Sequence, residues 1–478
     1  MRIIAGGAFG YSQYQLKMRE TSVHHIIYWI AGALLVLRSG TLTGMPPTDL
    51  TDLSPLRVSE NGRFLETADG QPFFWLGDTN WVLFHRTSDE EADTYFSDRA
   101  TKGFNVIQTG ICAAGVIEGV TDSSHNVING ELPFLYTDTL PDPTKPNEAF
   151  FRRVDQLIDR AAAHQLYVAL LPTWAEFVCP KWHNGPRIFT EENARQYGAW
   201  LGKRYADRTN ILWVMGGDRT PVLCQPEDEQ LWRAMAEGIK STDPNHLMTY
   251  HPQGNYSSDT WFHQNAWLDL NMYQSIRWPE NITRLTQQAY QRTPAKPVVN
   301  GEPFYYENRQ IQEDFDDRVF RSQPYWTFLA GGRGYTFGQH HVWFFDKNDQ
   351  YLNFEQNSGV HWHQKLNTAG TRWTLRFANI MQSLPWWEMV PDSTLILSDR
   401  GQGTAEIVAS RLPNGEQLTV YYPVNTSATV DVARLAQDTV TLTWYKTDEE
   451  VEIRRTVPAN RNVLQPPEGW EDALLVVQ

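Results

Sequence analysis

The sequence predicts an α/β protein, a (β/α)8 barrel of the TIM type followed by a small C-terminal β-sandwich. Three observations carry that expectation. Between residues 56 and 388 short apolar segments alternate with helical patterns, the texture of parallel βα units. Eight such segments can be traced, the number that closes a barrel. From about residue 389 helical periods give way to strand-like runs separated by Asn-Gly, Asp and Pro. A doubly wound open sheet is the competing architecture. No G-x-G-x-x-G follows the first strand, which disfavours it.

Taken in order, the barrel strands are expected at 72–78, 105–111, 167–174, 211–218, 247–252, 268–275, 298–303 and 333–338. Helical patterns lie between them at 88–102, 147–164, 190–206, 227–241, 281–292 and 314–329, with a last helix at 374–384. Ser88 followed by Glu91 reads as a capping box, and Thr190 with Asn193 follows the same logic. The stretch 253–267 between strands five and six shows loop chemistry instead of a helix. In the C-terminal region, strand-like segments occur at 406–410, 417–422, 429–432, 439–445, 451–457 and 473–477. Asn414-Gly415 between two of them is a hairpin signal.

The 478 residues are too many for one ordinary domain. Residues 26–37, IIYWIAGALLVL, form an uncharged run preceded by Lys17, Arg19, His24 and His25 and followed by small residues. That order is a signal peptide's, and the run falls short of the roughly 20 apolar residues of a membrane span. Arg38 blurs a cleavage site, so an uncleaved N-terminal anchor is the alternative, and Met18 is a candidate start. Residues 1–38 are therefore read as signal or anchor, 39–55 as linker, 56–388 as barrel and 389–478 as sandwich. The expected product is exported (secreted, periplasmic or cell-surface) and monomeric, touching a membrane only through that anchor.

Composition narrows the partners. A net charge of −15 with no basic stripe disfavours nucleic acid. The 19 Trp, 20 Tyr and 22 Phe suit sugar rings, whose C–H faces stack on flat apolar surfaces; a large aromatic core is the other reading. Cys112, Cys179 and Cys224 lack metal-ligand spacing, and no CxxC or HExxH occurs, so no metal and no cofactor are expected. One disulfide is possible for this odd count, with buried thiols the preferred reading.

In such barrels the chemistry sits at the C-terminal ends of the strands. Two acids stand out there. Ile211-Leu212-Trp213-Val214-Met215-Gly216-Gly217 leads to Asp218 at strand four, and Val298-Val299-Asn300-Gly301 leads to Glu302 at strand seven. Glycosidic cleavage needs two carboxyl groups flanking an oxocarbenium-like transition state, one protonated and one ionised. The expectation is that Asp218 donates the proton, beside an apolar wall from Trp213 and Met215, and that Glu302 attacks. A loop ion pair for Asp218-Arg219 and a turn cap for Glu302 are the structural alternatives. Candidate substrate contacts at the other strand ends are Asp78, Trp81, Gln108, Trp174, Arg219, His251, Tyr273, Gln274, Tyr335 and Trp343. Arg219 would grip an anionic glycan or pair with Asp218.

Several motifs resemble those of the apiosidase-like glycoside hydrolases. They are Phe73-Phe74-Trp75-Leu76-Gly77-Asp78-Thr79-Asn80-Trp81, Gly103-Phe104-Asn105-Val106-Ile107-Gln108, Leu212 to Arg219, Gly301-Glu302-Pro303, and Gly331 to Gly338 with Trp343. The resemblance runs from about Leu56 to Leu384. It implies a retaining glycosidase acting on plant or microbial polysaccharide, with Asp218 as acid/base and Glu302 as nucleophile. The family's best-known activity releases apiose-bearing side chains from rhamnogalacturonan II. The tail Pro466 to Val477 resembles the small β domain with a collagen-binding label that follows such barrels; Trp444-Tyr445-Lys446-Thr447-Asp448 stands where a Pro-Arg turn is expected. The alternative function is an inactive carbohydrate-binding or matrix-binding protein on the same barrel.

Overall fold

A computed structural model describes residues 53–112, 131–181, 186–308, 316–347 and 359–478. The apolar run 26–37 and the linker up to residue 52 lie outside the described residues. The barrel wall consists of β1 (Trp75–Thr79), β2 (Val106–Gly110), β3 (Tyr167–Leu171), β4 (Ile211–Gly216), β5 (Met248–His251), β6 (Asn271–Gln274), β7 (Val298–Glu302) and β8 (Gly334–Phe337). These strands pair in parallel in the order β5-β4-β3-β2-β1-β8-β7-β6. Asp269 joins the two ends of that row. Its N–H donates to the Met248 carbonyl at 2.8 Å, and its carboxylate accepts the Met248 N–H at 2.8 Å.

Around the wall lie α1 (Asp89–Thr101), α2 (Glu148–Ala163), α3 (Glu191–Tyr205), α4 (Asp228–Thr242), α5 (Asp259–Phe262), α6 (Ile282–Tyr290), α7 (Asp317–Leu329) and α8 (Ala369–Gln382). Both expected capping boxes form, Ser88 with Glu91 and Thr190 with Asn193. α5 is a single turn, in keeping with the loop chemistry of that stretch. α8 starts five residues earlier than expected, because Thr368 caps it by accepting the Thr371 N–H.

Both faces of each barrel strand are buried, so alternation sorts side chains into a lumen set and a helix-facing set. Trp75 points inward, its Nε1 donating to Thr336 across the β1–β8 pair at 3.1 Å. Tyr250 points outward against Trp232 and Phe262. A short antiparallel sheet (Leu56–Val58, Leu65–Thr67, Pro72–Phe73) lies against the strand starts, where Phe73 meets Tyr167 at 5.1 Å between ring centres.

The C-terminal region is a six-stranded antiparallel sheet with a two-stranded ribbon, Ala428–Asp431 and Arg461–Leu464, packed through a shared apolar core. Val408–Arg411 and Leu418–Tyr422 form the expected hairpin around Asn414-Gly415. The strand Arg461–Leu464 gave no sequence signal because most of it is solvent-facing. This domain docks on α7 and α8. Asp472, buried at the joint, accepts from Arg321 at 2.8 Å, Tyr421 at 2.8 Å and Thr447 at 2.7 Å. The ring of Tyr421 stacks on Tyr325 at 4.6 Å. The segment that departs from the Pro-Arg pattern thus serves the joint through Thr447.

The cysteines differ from the expected buried thiols. Only Cys112 is a buried free thiol, whereas Cys179 and Cys224 form a disulfide. β3 and β4 are neighbours in the wall, so the loops after them meet, and residues 45 apart in sequence come to a Cα separation of 5.5 Å.

Candidate active site

The β4 strand ends in an unusual turn. Gly216, Gly217 and Asp218 have φ values of 89°, 122° and 55°, three successive residues in left-handed backbone. Two glycines adopt it at no steric cost, and Asp tolerates it better than most residues. Crowding imposes the same choice: a Cβ on Gly217 would lie 2.9 Å from the Trp174 ring. The turn is braced from both sides. Arg219 donates to the Asp218 carbonyl at 2.7 Å and to its Oδ2 at 3.3 Å, and Tyr250 donates to the Arg219 carbonyl at 3.1 Å. Asp218 is thereby presented to the cleft, with 44% of its side chain exposed.

Glu302 reaches the lumen by a different device. Tyr273 of β6 pairs with Asn300, and the next pair is Gln274 with Glu302, which leaves Gly301 without an opposite residue. A bulge of one residue reverses the facing of the residues beyond it. Asn300 points outward to Thr327, and Glu302, two residues on, points inward. Gln108 of β2 fixes the bulge by donating to the Gly301 carbonyl at 2.8 Å. Gly301 is required there, since a Cβ would lie 2.5 Å from the Met272 sulfur.

One amide connects the two acids. Gln274 Nε2 donates to Glu302 Oε2 and lies 3.3 Å from Asp218 Oδ1. Sharing one nitrogen confines the two nearest carboxylate oxygens to within about 6 Å of each other. Tyr305 donates to the other oxygen of Glu302 at 2.6 Å and accepts from Trp81 Nε1 at 3.0 Å. His251 completes the group. The Asp218 N–H faces its Nδ1 at 3.4 Å, and its Nε2 lies 3.0 Å from Glu302 Oε2. The rings of Trp81, Trp174 and His251 pack together, with centres 4.8 to 6.0 Å apart.

The surroundings set the two acids apart. The Asp218 carboxyl is pushed up to about 6 from 3.8, first by loss of solvation and then by the charge of Glu302, with Arg219 and His251 opposing. Glu302 is almost enclosed, at 5% exposure, and receives hydrogen bonds from Tyr305 and Gln274. A carboxyl raised to about 6 beside an acid whose two oxygens both receive hydrogen bonds is the kind of pair that glycoside cleavage uses. Among the described residues no group of three or more His, Cys, Asp or Glu is arranged to hold a metal ion.

The structure brings together Asp218, Glu302, Trp81, Trp174, His251 and Gln274, with Gln108 one contact behind. Trp343 adjoins them through its carbonyl, which accepts the Trp81 N–H at 3.0 Å. Three candidates point the other way. Asp78 is buried against α1, accepting from Tyr95 at 2.6 Å and Arg99 at 2.7 Å. Tyr273 bonds Thr286 and Thr327 in the helix layer, and Tyr335 lies near Phe377 of α8. All three occupy the outward phase of their strands. Arg219, at 1% exposure, braces the Asp218 turn and does not face the cleft. The apolar wall expected from Trp213 is likewise absent, since Trp213 donates to Asp243 on the helix side at 2.7 Å. Tyr305 was not anticipated. Its signal was its position, an aromatic hydroxyl three residues after a strand-end acid.

No curated protein sequence matches the chain. Among solved structures, a glycoside hydrolase family 5 protein from Bacteroides vulgatus superposes with a TM-score of 0.76 at 25% identity, covering 88% of this chain and 93% of its own. A second, named as a glycoside hydrolase, gives 0.73 at 28% identity, covering 89% and 96%. Residues 390–478 match a domain model named for collagen binding in a collagenase. Residues 59–388, the barrel with both acids, match the apiosidase-like catalytic domain, so the chain belongs to the apiosidase-like family and is a glycoside hydrolase.

Proposed function

We propose that the enzyme cleaves its glycosides with retention, through attack by Glu302 and proton transfer by Asp218. The shared Gln274 amide carries this reading, because it confines the nearest carboxylate oxygens to within about 6 Å, a range that includes the 5–5.5 Å of double displacement and falls short of the roughly 6.5–9.5 Å that leaves room for an inverting water. In the first step Glu302 attacks the anomeric carbon while Asp218 protonates the leaving oxygen. In the second, Asp218, now ionised, takes a proton from a water whose oxygen bonds the anomeric carbon, and the bond from that carbon to the Glu302 oxygen breaks, releasing the sugar and returning the Glu302 carboxylate. Tyr305 and Gln274 hold the nucleophile's two oxygens in the attacking orientation.

The sugar proposed is a terminal or near-terminal furanose such as apiose on a pectic backbone, on the strength of the family match. Export is proposed from the signal-like segment and from the Cys179–Cys224 bridge, a bond at home in oxidising compartments. Screening the purified protein against pectic oligosaccharides and aryl glycosides tests both activity and sugar. Release of apiose or an apiosyl disaccharide is the expected result. Binding without turnover across the panel would favour the inactive carbohydrate-binding reading.

A further inference from the structure

Gln274 has a second polar end. Its Nε2 must face the two acids, because carboxylates accept and only the amide nitrogen can donate. Oε1 is therefore turned away from them, and it has no hydrogen-bond partner although the residue is 1% exposed. A buried acceptor left open beside two catalytic acids is a place for a ligand's hydroxyl.

Beside it stands Trp278, in the turn after β6. The residue is half-buried. Among the described residues its ring packs on no other ring, and its indole N–H has no hydrogen-bond partner. Gly254 sets both groups in place. A Cβ there would lie 2.5 Å from Trp278 Cζ3 and 3.4 Å from Gln274 Oε1, so only a bare backbone lets ring and amide share that ground. The neighbouring Asn255 N–H donates to the Gln274 carbonyl at 2.9 Å, which ties this floor to the catalytic strand.

We infer that Trp278 and Gln274 Oε1 form the recognition surface for the sugar whose glycosidic bond is cleaved, the ring stacking a C–H face while Oε1 accepts a hydroxyl. The occupant is the transferred sugar and not the leaving group, because the same amide touches both acids and so borders the carbon under attack. The assignment rests on the proposed roles of Asp218 and Glu302.

The test uses 4-nitrophenyl glycosides, which carry a single sugar, at the transferred position. Trp278→Ala should lower kcat/KM about 20-fold through KM, with Trp278→Phe keeping most of the activity. Gly254→Ala, which displaces the ring without removing it, should fall in the same direction. Monosaccharide binding to a Glu302→Gln protein, followed by calorimetry, should weaken by a similar factor when Trp278→Ala is added. If Trp278→Ala cleaves nitrophenyl glycosides like the wild type while Glu302→Ala is inactive, the sugar surface lies elsewhere. If Glu302→Ala itself stays active, the catalytic assignment beneath it fails instead.

Discussion

The Tyr305 hydroxyl donates to Glu302 Oε1 at 2.6 Å, from a residue only three positions further along the chain. The same hydroxyl accepts from Trp81 Nε1, so one phenol joins the tip of β7 to the loop after β1. Tyr305→Phe removes the donor and leaves the ring. Hydrogen bonds to charged groups contribute about 1.5–3 kcal/mol, so kcat/KM should fall roughly 10- to 100-fold while the protein stays folded. Steady-state kinetics with an aryl glycoside, beside a circular dichroism spectrum, checks this.

Asp218 titrates near pH 6 and must be protonated to act as an acid. The alkaline limb of the kcat/KM profile should therefore fall with a midpoint near 6, and the limb should disappear in Asp218→Ala. Stability follows the same group. Because its pKa is raised in the fold, stability is greatest below about 3.8 and declines as pH rises through about 6. Asp218→Asn should accordingly melt above the wild type at pH 8, and that advantage should vanish near pH 3.5. An advantage that persisted at pH 3.5 would show that ionisation is not its origin.

Asp78 provides the contrast with a cleft residue. It forms a buried ion pair with Arg99, both side chains being fully enclosed. Among the described residues, Asp78→Ala leaves Arg99 with only the part-exposed Asp98 as counter-charge, at 3.1 Å, and should cost about 3 kcal/mol of stability. The fraction that folds should keep its KM. Denaturant unfolding combined with kinetics on the folded protein separates the two effects.

The Cys179–Cys224 bridge joins the loop carrying Trp174 to the loop carrying Asp218. Closing a loop of that length stabilises by about 4 kcal/mol in chain-entropy terms. A Cys179→Ser, Cys224→Ser double variant should melt several degrees lower. Its kcat should fall more on poor leaving groups than on nitrophenyl substrates, since Asp218, the proposed acid, sits on the loop that is freed.

The barrel was legible because its strands are short apolar runs and its helices carry capping signals such as Ser88 with Glu91. The two acids were legible because each ends such a run after glycine. What escaped was facing. In a parallel sheet buried on both sides, lumen and helix layer are equally apolar, so nothing near Asp78, Tyr273 or Tyr335 announced that they look outward. The bulge at Gly301 is silent as well, since it depends on the register of β6 against β7. Tyr305 is marked in the sequence only as an aromatic hydroxyl three residues after a strand-end acid, and its reach back to Glu302 depends on how the chain turns after Pro303.

The most direct measurement is to trap the covalent intermediate. An activated 2-fluoro glycoside of whichever sugar the enzyme cleaves forms the glycosyl-enzyme but releases it slowly, and peptide mapping then locates the attached carbon. The label should reside on Glu302, at full occupancy in the wild type and absent in Glu302→Ala. A label on Asp218, or turnover of the same reagent to an inverted product with no adduct at all, would contradict the assignment of Glu302 as the nucleophile of a retaining glycosidase.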